Sequence, residues 1–184
     1  GEGIYLSISS NNNLTNNIGT STSNYGIDLI SADDNTLINN TGTSTSNVGI
    51  FLYTSSNNNL TDNTGTSTSN VGSYIYGSQN ILFINNTMIS TSSIGTHLQY
   101  TSDNNVLINH KSIGGTYGLS LRVSASNNII QDCINISGGN YDVYVYSESS
   151  VVNNTFINCS YDSESVSGAG NELICFIKYP ESIF

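Results

Sequence analysis

Apolar residues recur along this chain in short alternating pairs with no helical spacing. Ile4/Leu6, Ile27/Leu29, Ile50/Leu52, Ser73/Ile75, Thr96/Leu98, Leu119/Leu121 and Val143/Val145 stand two residues apart, one pair every 23 residues with a single interval of 24. Period two predicts a short strand with one buried face. A second apolar column, Leu14, Leu37, Leu60, Phe83, Val106, Ile129 and Val151, predicts a second strand in each unit. Three residues further on runs a polar column of Asn17, Asn40, Asn63, Asn86, Asn109, Asp132 and Asn154.

The string GTSTSN, at 19–24, 42–47 and 65–70, predicts a third strand. Its alternation puts Thr20/Thr22, Thr43/Thr45 and Thr66/Thr68 on one face and Gly and Ser on the other. Met88, Phe156 and Ile134/Ile136 align with the Gly/Ser set and argue that this set faces inward, whereas Ile18, Ile89 and Ile157 argue the reverse. The parity is open at this point, and only outward threonines would form a recognition grid.

The units run Gly3–Tyr25, Gly26–Val48, Gly49–Val71, Gly72–Ile94, Gly95–Tyr117 and Gly118–Tyr141, with a seventh from Asp142. A period between about 20 and 50 residues, built from strands and Asn-rich turns, points to an all-β solenoid. A single domain over 1–184 is expected, with coils opening at 3, 26, 49, 72, 95, 118 and 142 and a terminal strand or cap over about 171–184. The stacked Asn column reads as a structural ladder, because Asn tolerates left-handed corners and its amide can bond the coils above and below. No segment before Gly3 is available as a cap, so the reading is either a fragment of a longer array or an open end that pairs with another chain.

Units such as NTLINNTG, NILFINNTM and NNIIQDCINIS resemble the right-handed parallel β-helix repeat family, the coils of pectate-lyase-like folds, over nearly the whole chain. The resemblance implies a right-handed parallel β-helix. That family includes polysaccharide lyases, epimerases, phage spikes, copper-maturation proteins and surface proteins of bacteria and methanogenic archaea, so it implies a fold and no particular activity.

Composition narrows the partners. Only 9% of residues are charged, so the polarity comes from Asn, Ser, Thr and Gly, which reads as ordered polar repeats. A net charge of −10 repels phosphate backbones and excludes nucleic acid. No run approaches the roughly 20 apolar residues of a membrane span. Cys133, Cys159 and Cys175 are odd in number, which leaves at least one outside any intrachain pair, and their pairing is open.

Catalytic candidates are few. The resemblance implies, for its lyases, Arg or Lys bases beside calcium-binding carboxylates, and only Lys111, Arg122 and Lys178 are basic here. Arg122, with His97 and Gln99 one coil earlier, is the one place where His and Arg neighbour each other. Asp33 and Asp34 read as a solvated turn, since calcium needs several convergent oxygens. His110, near Cys133 in the next coil, reads as a buried polar pair in preference to a two-ligand metal site. No catalytic residue, metal or cofactor is expected.

More informative are the outward positions of the first strand. Tyr5, Phe51, Tyr53, Tyr74, Tyr76, Tyr144 and Tyr146 form an aromatic surface suited to sugar rings or to a second subunit. Sequons at Asn13, Asn39, Asn59, Asn85, Asn135, Asn153 and Asn158 are candidate glycosylation sites. The reading is a non-catalytic extracellular or cell-surface solenoid that self-associates, through its open end and aromatic face, into an envelope layer, sheath or fibre. A carbohydrate-binding or carbohydrate-active β-helix is the alternative, and a Thr-array ice-binding protein the third.

Overall fold

Strands pair in parallel with the equivalent strand one coil away throughout the computed structural model, which describes residues 1–146 and 150–174. Three sheets result. One runs from Ile4–Ser7 to Glu164–Val166, a second from Asn13–Thr15 to Glu172–Ile174, and a third from Ile18–Ser21 to Asn135–Gly138. The chain is an all-β solenoid of about seven turns on a period of about 23 residues, with no helix among the described residues.

The first sheet sends Ile27/Leu29, Ile50/Leu52 and Leu119/Leu121 into the interior, all fully buried. They meet Leu37, Leu60, Phe83, Leu107, Ile130 and Phe156 of the second sheet in one continuous core. The third sheet adds little apolar bulk. Its inward positions are Gly42 and Ser44, Gly65 and Ser67, then Met88 and Ser90. A Cβ on Gly42 would lie 2.4 Å from the Gly49 carbonyl oxygen, so this strand approaches the next coil's opening too closely for any side chain.

Two corners of each coil are made by Asn pairs. The first member takes the left-handed conformation, as at Asn16, Asn39, Asp62 and Asn85, and at Asn11, Asp34, Asn57 and Asn104. The second turns inward and bonds the neighbouring coils. Asn63 Oδ1 accepts from the Asn40 backbone N–H (2.8 Å) and side-chain amide (3.0 Å), and Asn63 Nδ2 donates to the Leu37 carbonyl (2.9 Å). Asn17, Asn40, Asn63 and Asn86 form this ladder. A parallel one, unseen in the pattern of the sequence, runs through Asn12, Asn35 and Asn58 and resumes at Asn105, Asn128, Asn154 and Asn171.

From the fifth coil onward the register differs from a fixed 23-residue repeat. Tyr100 and Thr101 are both left-handed where earlier coils spend one such residue, and the corner before Tyr117 is one residue shorter. The two changes cancel at the next coil's opening, which hides them from a glycine-to-glycine count. Leu107 and Ile130 therefore occupy the core column, and Val106 and Ile129 face outward. Asn109 and Asp132 are not ladder residues. They hold the left-handed positions (φ 50° and 53°), and His110 and Cys133 follow them into the interior. Asn154 is a ladder residue of the other corner.

Cys133 forms a disulfide with Cys159, 26 residues away, so a covalent rung continues the column that Asn amides build elsewhere. Cys175 and most of the expected terminal cap lie outside the described residues, although Glu172–Ile174 adds a last strand to the second sheet.

Replacing Asn63 by Ala strands the Asn40 backbone N–H and removes the side-chain bond to the Leu37 carbonyl. The expected loss is about 2–4 kcal/mol, read as a lower urea midpoint at unchanged slope, whereas Asp62→Asn at the neighbouring left-handed position changes stability by under about 0.5 kcal/mol.

Candidate functional site

Outward residues of the first sheet stack in two columns. Tyr5, Asp28, Phe51, Tyr74, His97, Ser120 and Tyr144 stand in register, and beside them run Ser7, Ile30, Tyr53, Tyr76, Gln99 and Arg122. The face is less open than the sequence implies. The residue at each preceding corner folds over it, so that Val48, Phe51, Val71 and Ile94 form a second small core with Tyr25, Tyr74, Tyr76 and Tyr117 against it.

Corner and strand sizes are complementary from the second to the sixth coil, and in the seventh Tyr141 and Tyr144 are both large. Coils with Phe51 or Tyr74 on the strand carry Val48 or Val71 at the corner. Coils with small Asp28 or Ser120 carry Tyr25 or Tyr117, whose rings stack on Phe51 (4.7 Å) and Tyr144 (4.5 Å) of the following coil. Phe51 is consequently buried, while Tyr5 (52% exposed), Tyr53 (40%), Tyr100 (43%) and Tyr141 (39%) stand out as a ridge. Tyr74, Tyr76, Tyr144 and Tyr146 are half-buried. Tyr100 belongs to a corner, which an analysis of strand alternation does not reach, and Tyr141 opens the strand Tyr141–Val145.

The rings fall into two blocks. Tyr25, Phe51, Tyr53, Tyr74, Tyr76, His97 and Tyr100 are linked at 4.5–5.9 Å, and Tyr117, Tyr141, Tyr144 and Tyr146 at 4.5–6.4 Å. Between the blocks lie His97, Gln99, Ser120 and Arg122, the His–Arg neighbourhood expected from the sequence. Gln99 Oε1 accepts from the Tyr74 hydroxyl, and the Arg122 guanidinium carbon lies 4.6 Å from the Tyr146 ring centre. His97 Nε2, Ser120 Oγ and Arg122 Nε are buried without hydrogen-bond partners. Burial, then the Arg122 charge, hold the His97 pKa down to about 3.

Asp28 is the acidic counterpart. It is buried, its Oδ1 has no partner, and burial with Glu2 nearby raises its pKa to about 7. That same carboxyl, after burial itself, raises the Tyr25 phenol.

On the interior side, His110 occupies the ladder column. Its Nε2 lies 2.8 Å from Thr96 Oγ1, which lies 2.8 Å from Ser112 Oγ, and Ser112 donates to the Gly118 carbonyl. The one Ser112 proton is shared between that carbonyl and Thr96 Oγ1. His110 Nδ1 is buried without a hydrogen-bond partner, and burial keeps the ring neutral down to about pH 3.

Asp33 Oδ1 accepts from the Ser56 N–H, and Asp34 is a left-handed corner residue, so the acidic pair is a turn. The threonine parity resolves outward. Ser21, Ser44 and Ser67 face in and bridge coils, while Thr20, Thr22, Thr45 and Thr68 are exposed and Thr43 and Thr66 half-exposed. Thr22, Thr45 and Thr68 lie past the strand ends, so the flat array is the Thr20, Thr43, Thr66 column with Thr41 and Thr64 beside it, and Ile89 ends it. Of the sequon asparagines, Asn13, Asn39, Asn85, Asn135, Asn153 and Asn158 are exposed and Asn59 is half-buried. A cleft of about 440 Å³ near the far end contains Asp142, whose oxygens already accept the Gly138, Asp162 and Ser163 N–H groups.

Buried Asp28 and the buried histidines act oppositely on acid stability. Folded Asp28 holds a proton that the unfolded chain releases above about pH 4, so its contribution falls as pH rises from about 4 to 7. Folded His97 and His110 refuse a proton that the unfolded chain takes below about 6.5, costing about 1.4 kcal/mol per pH unit for each as pH falls toward 3. Urea unfolding at pH 4.5 and 7.5 should show Asp28→Asn to be more acid-sensitive than the parent and His110→Asn, which restores a ladder amide, to be less so.

Residues 1–89, just under half of the chain, match the model of the family described as NosD, periplasmic copper-binding protein. No curated protein and no solved structure matches the chain. By sequence, its first four coils are therefore similar to a periplasmic β-solenoid family.

Proposed function

We propose that this chain is a non-catalytic solenoid placed outside the cytoplasm, working by contact along the outer face of its first sheet and self-associating into a layer, sheath or fibre. One observation carries this reading. Tyr53, Tyr100 and Tyr141 project from a scaffold of stacked rings that is in place before any partner arrives, and Tyr5 is exposed on the same face. Ordering such large side chains in advance removes an entropy cost that binding otherwise has to meet. Placement outside the cytoplasm is supported by the Cys133–Cys159 disulfide and by the periplasmic description of the matched family.

Copper, which that family's description implies, does not suit the donors present. Cys133 and Cys159 are committed to each other, Met88 is sealed in the core, and His97 and His110 lie on opposite faces of the first sheet. Among the described residues no three metal-ligating side chains converge. The function proposed has no copper step.

A glycan partner is the second reading, favoured by the unpartnered polar groups where the aromatic blocks meet. The ice-binding expectation gains outward threonines, yet their array spans only three coils before Ile89.

Sedimentation and negative-stain microscopy test the proposal. The parent chain should associate with rising concentration into particles or filaments, and Tyr53→Ser with Tyr100→Ser should shift it toward monomer with an unchanged circular dichroism spectrum. A parent chain that stays monomeric up to millimolar concentration overturns self-association. Tyrosine signals that move on adding a soluble oligosaccharide would then favour the glycan reading.

A further inference from the structure

Of the six buried side-chain atoms without partners among the described residues, three belong to His97, Ser120 and Arg122. His97 and Ser120 face each other on neighbouring strands, and Arg122 lies two residues beyond Ser120 on the same face. Unpartnered buried polar atoms each cost about 1–3 kcal/mol, so three at one place mark a position where something outside the chain completes the bonding. A second argument concerns charge. Arg122 is the single arginine of a chain with thirteen acidic residues, yet no carboxylate among the described residues pairs with it. Its described partner is the face of Tyr146, which attracts a cation but leaves every N–H free.

The donor set selects the ligand. Arg122 Nε–H can only donate, the Ser120 hydroxyl can donate, and neutral His97 can offer an N–H at Nε2. Three donors with one positive charge suit an oxyanion, and the guanidinium fork matches a planar carboxylate. The walls select what carries it. Tyr74 and His97 stack on one side at 4.9 Å, and on the other the Tyr117 ring, at the corner over fully buried Ser120, stacks on Tyr144 at 4.5 Å, so flat surfaces close over these polar groups.

We propose that the polar patch where the two aromatic blocks meet is a binding site for a carboxylate carried on a ring, with Arg122 as its charge partner and Ser120 and His97 completing its hydrogen bonds. The site does not depend on self-association, because every group comes from one chain. Arg122 is half-exposed and lies over no fixed ion pair, and Ser120 is fully buried, so the Arg122 guanidinium and the Tyr117 ring are the parts that move to admit the ligand. The surrounding net charge of −10 works against anions at long range, which makes binding weak at low salt and stronger as salt screens it.

Because the chain has one arginine, its Nε–H resonance reports the site without ambiguity. Nitrogen-15-labelled protein is titrated with benzoate and with glucuronate, against benzyl alcohol, glucose and sulfate. The expected result is a saturable shift of the Arg122 Nε–H with one or both carboxylates and none with the neutral compounds. Arg122→Gln should weaken binding at least tenfold and Ser120→Ala several-fold, with backbone amide spectra otherwise unchanged. Benzoate alone binding assigns an aromatic carrier, and glucuronate alone a sugar acid. The proposal is overturned if neither carboxylate shifts the resonance, if neutral analogues shift it equally, if sulfate binds as well as the carboxylates, or if Arg122→Gln binds like the parent.

Discussion

Backbone groups that turn a corner inside a stack cannot reach water and cannot pair within their own coil, so each needs a partner in the next coil. Everything else in this rod depends on meeting that demand at every corner. The Asn pair meets it with two residues: one adopts φ near +55°, and the next supplies an amide that both donates and accepts toward neighbouring coils. Serine does the same at the corner after the third strand, where Ser44 Oγ accepts from the Asn47 N–H and donates to the Asn24 carbonyl one coil back. A chain that is 36% hydrophobic can thus hold a narrow core, because the inward polar residues at its corners are bonded to neighbouring coils.

This division of labour decides what could be read from the residues alone. Paired apolar positions such as Ile27/Leu29 and Ile50/Leu52 carry a period-two signal that survives any change in corner length, and the solenoid was legible from them. Ladder positions were not, and Asn109 is assigned to the ladder from the residues alone although His110 holds that place, since Asn occupies both halves of most corners. The extra corner residue at Tyr100–Thr101 shifted the assignment, and compensation before Tyr117 erased the trace. Pairing in space was needed to show that His110 and Cys133 had taken the amide's place.

On the outward face the limit was different. Alternation places Phe51 and Tyr74 outside correctly, but it treats each strand alone and says nothing of corners that fold across. The reciprocal sizes of Tyr25 with Asp28, Val48 with Phe51 and Tyr117 with Ser120 are visible in the sequence once that contact is known. They show the aromatic layer to be a second core, thinner than the first, in which two polar residues were retained beneath tyrosine rings. A layer built for stability alone would have no reason to keep the Asp28 carboxyl and the Ser120 hydroxyl without partners.

The disulfide has a mechanical meaning. Apart from the single backbone strand that passes from each coil to the next, neighbouring coils are joined by rungs, and a pull along the rod axis loads the rungs of one interface at a time, so separation can travel from coil to coil like a zip. Cys133 and Cys159 sit in consecutive coils, where the last Asn of that column has already given way to His110. A zip that reaches this interface meets a covalent bond, and the coils on either side must come away together or stay. The rod is therefore polar in how it fails, with extensible amide rungs toward one end and a fixed staple toward the other.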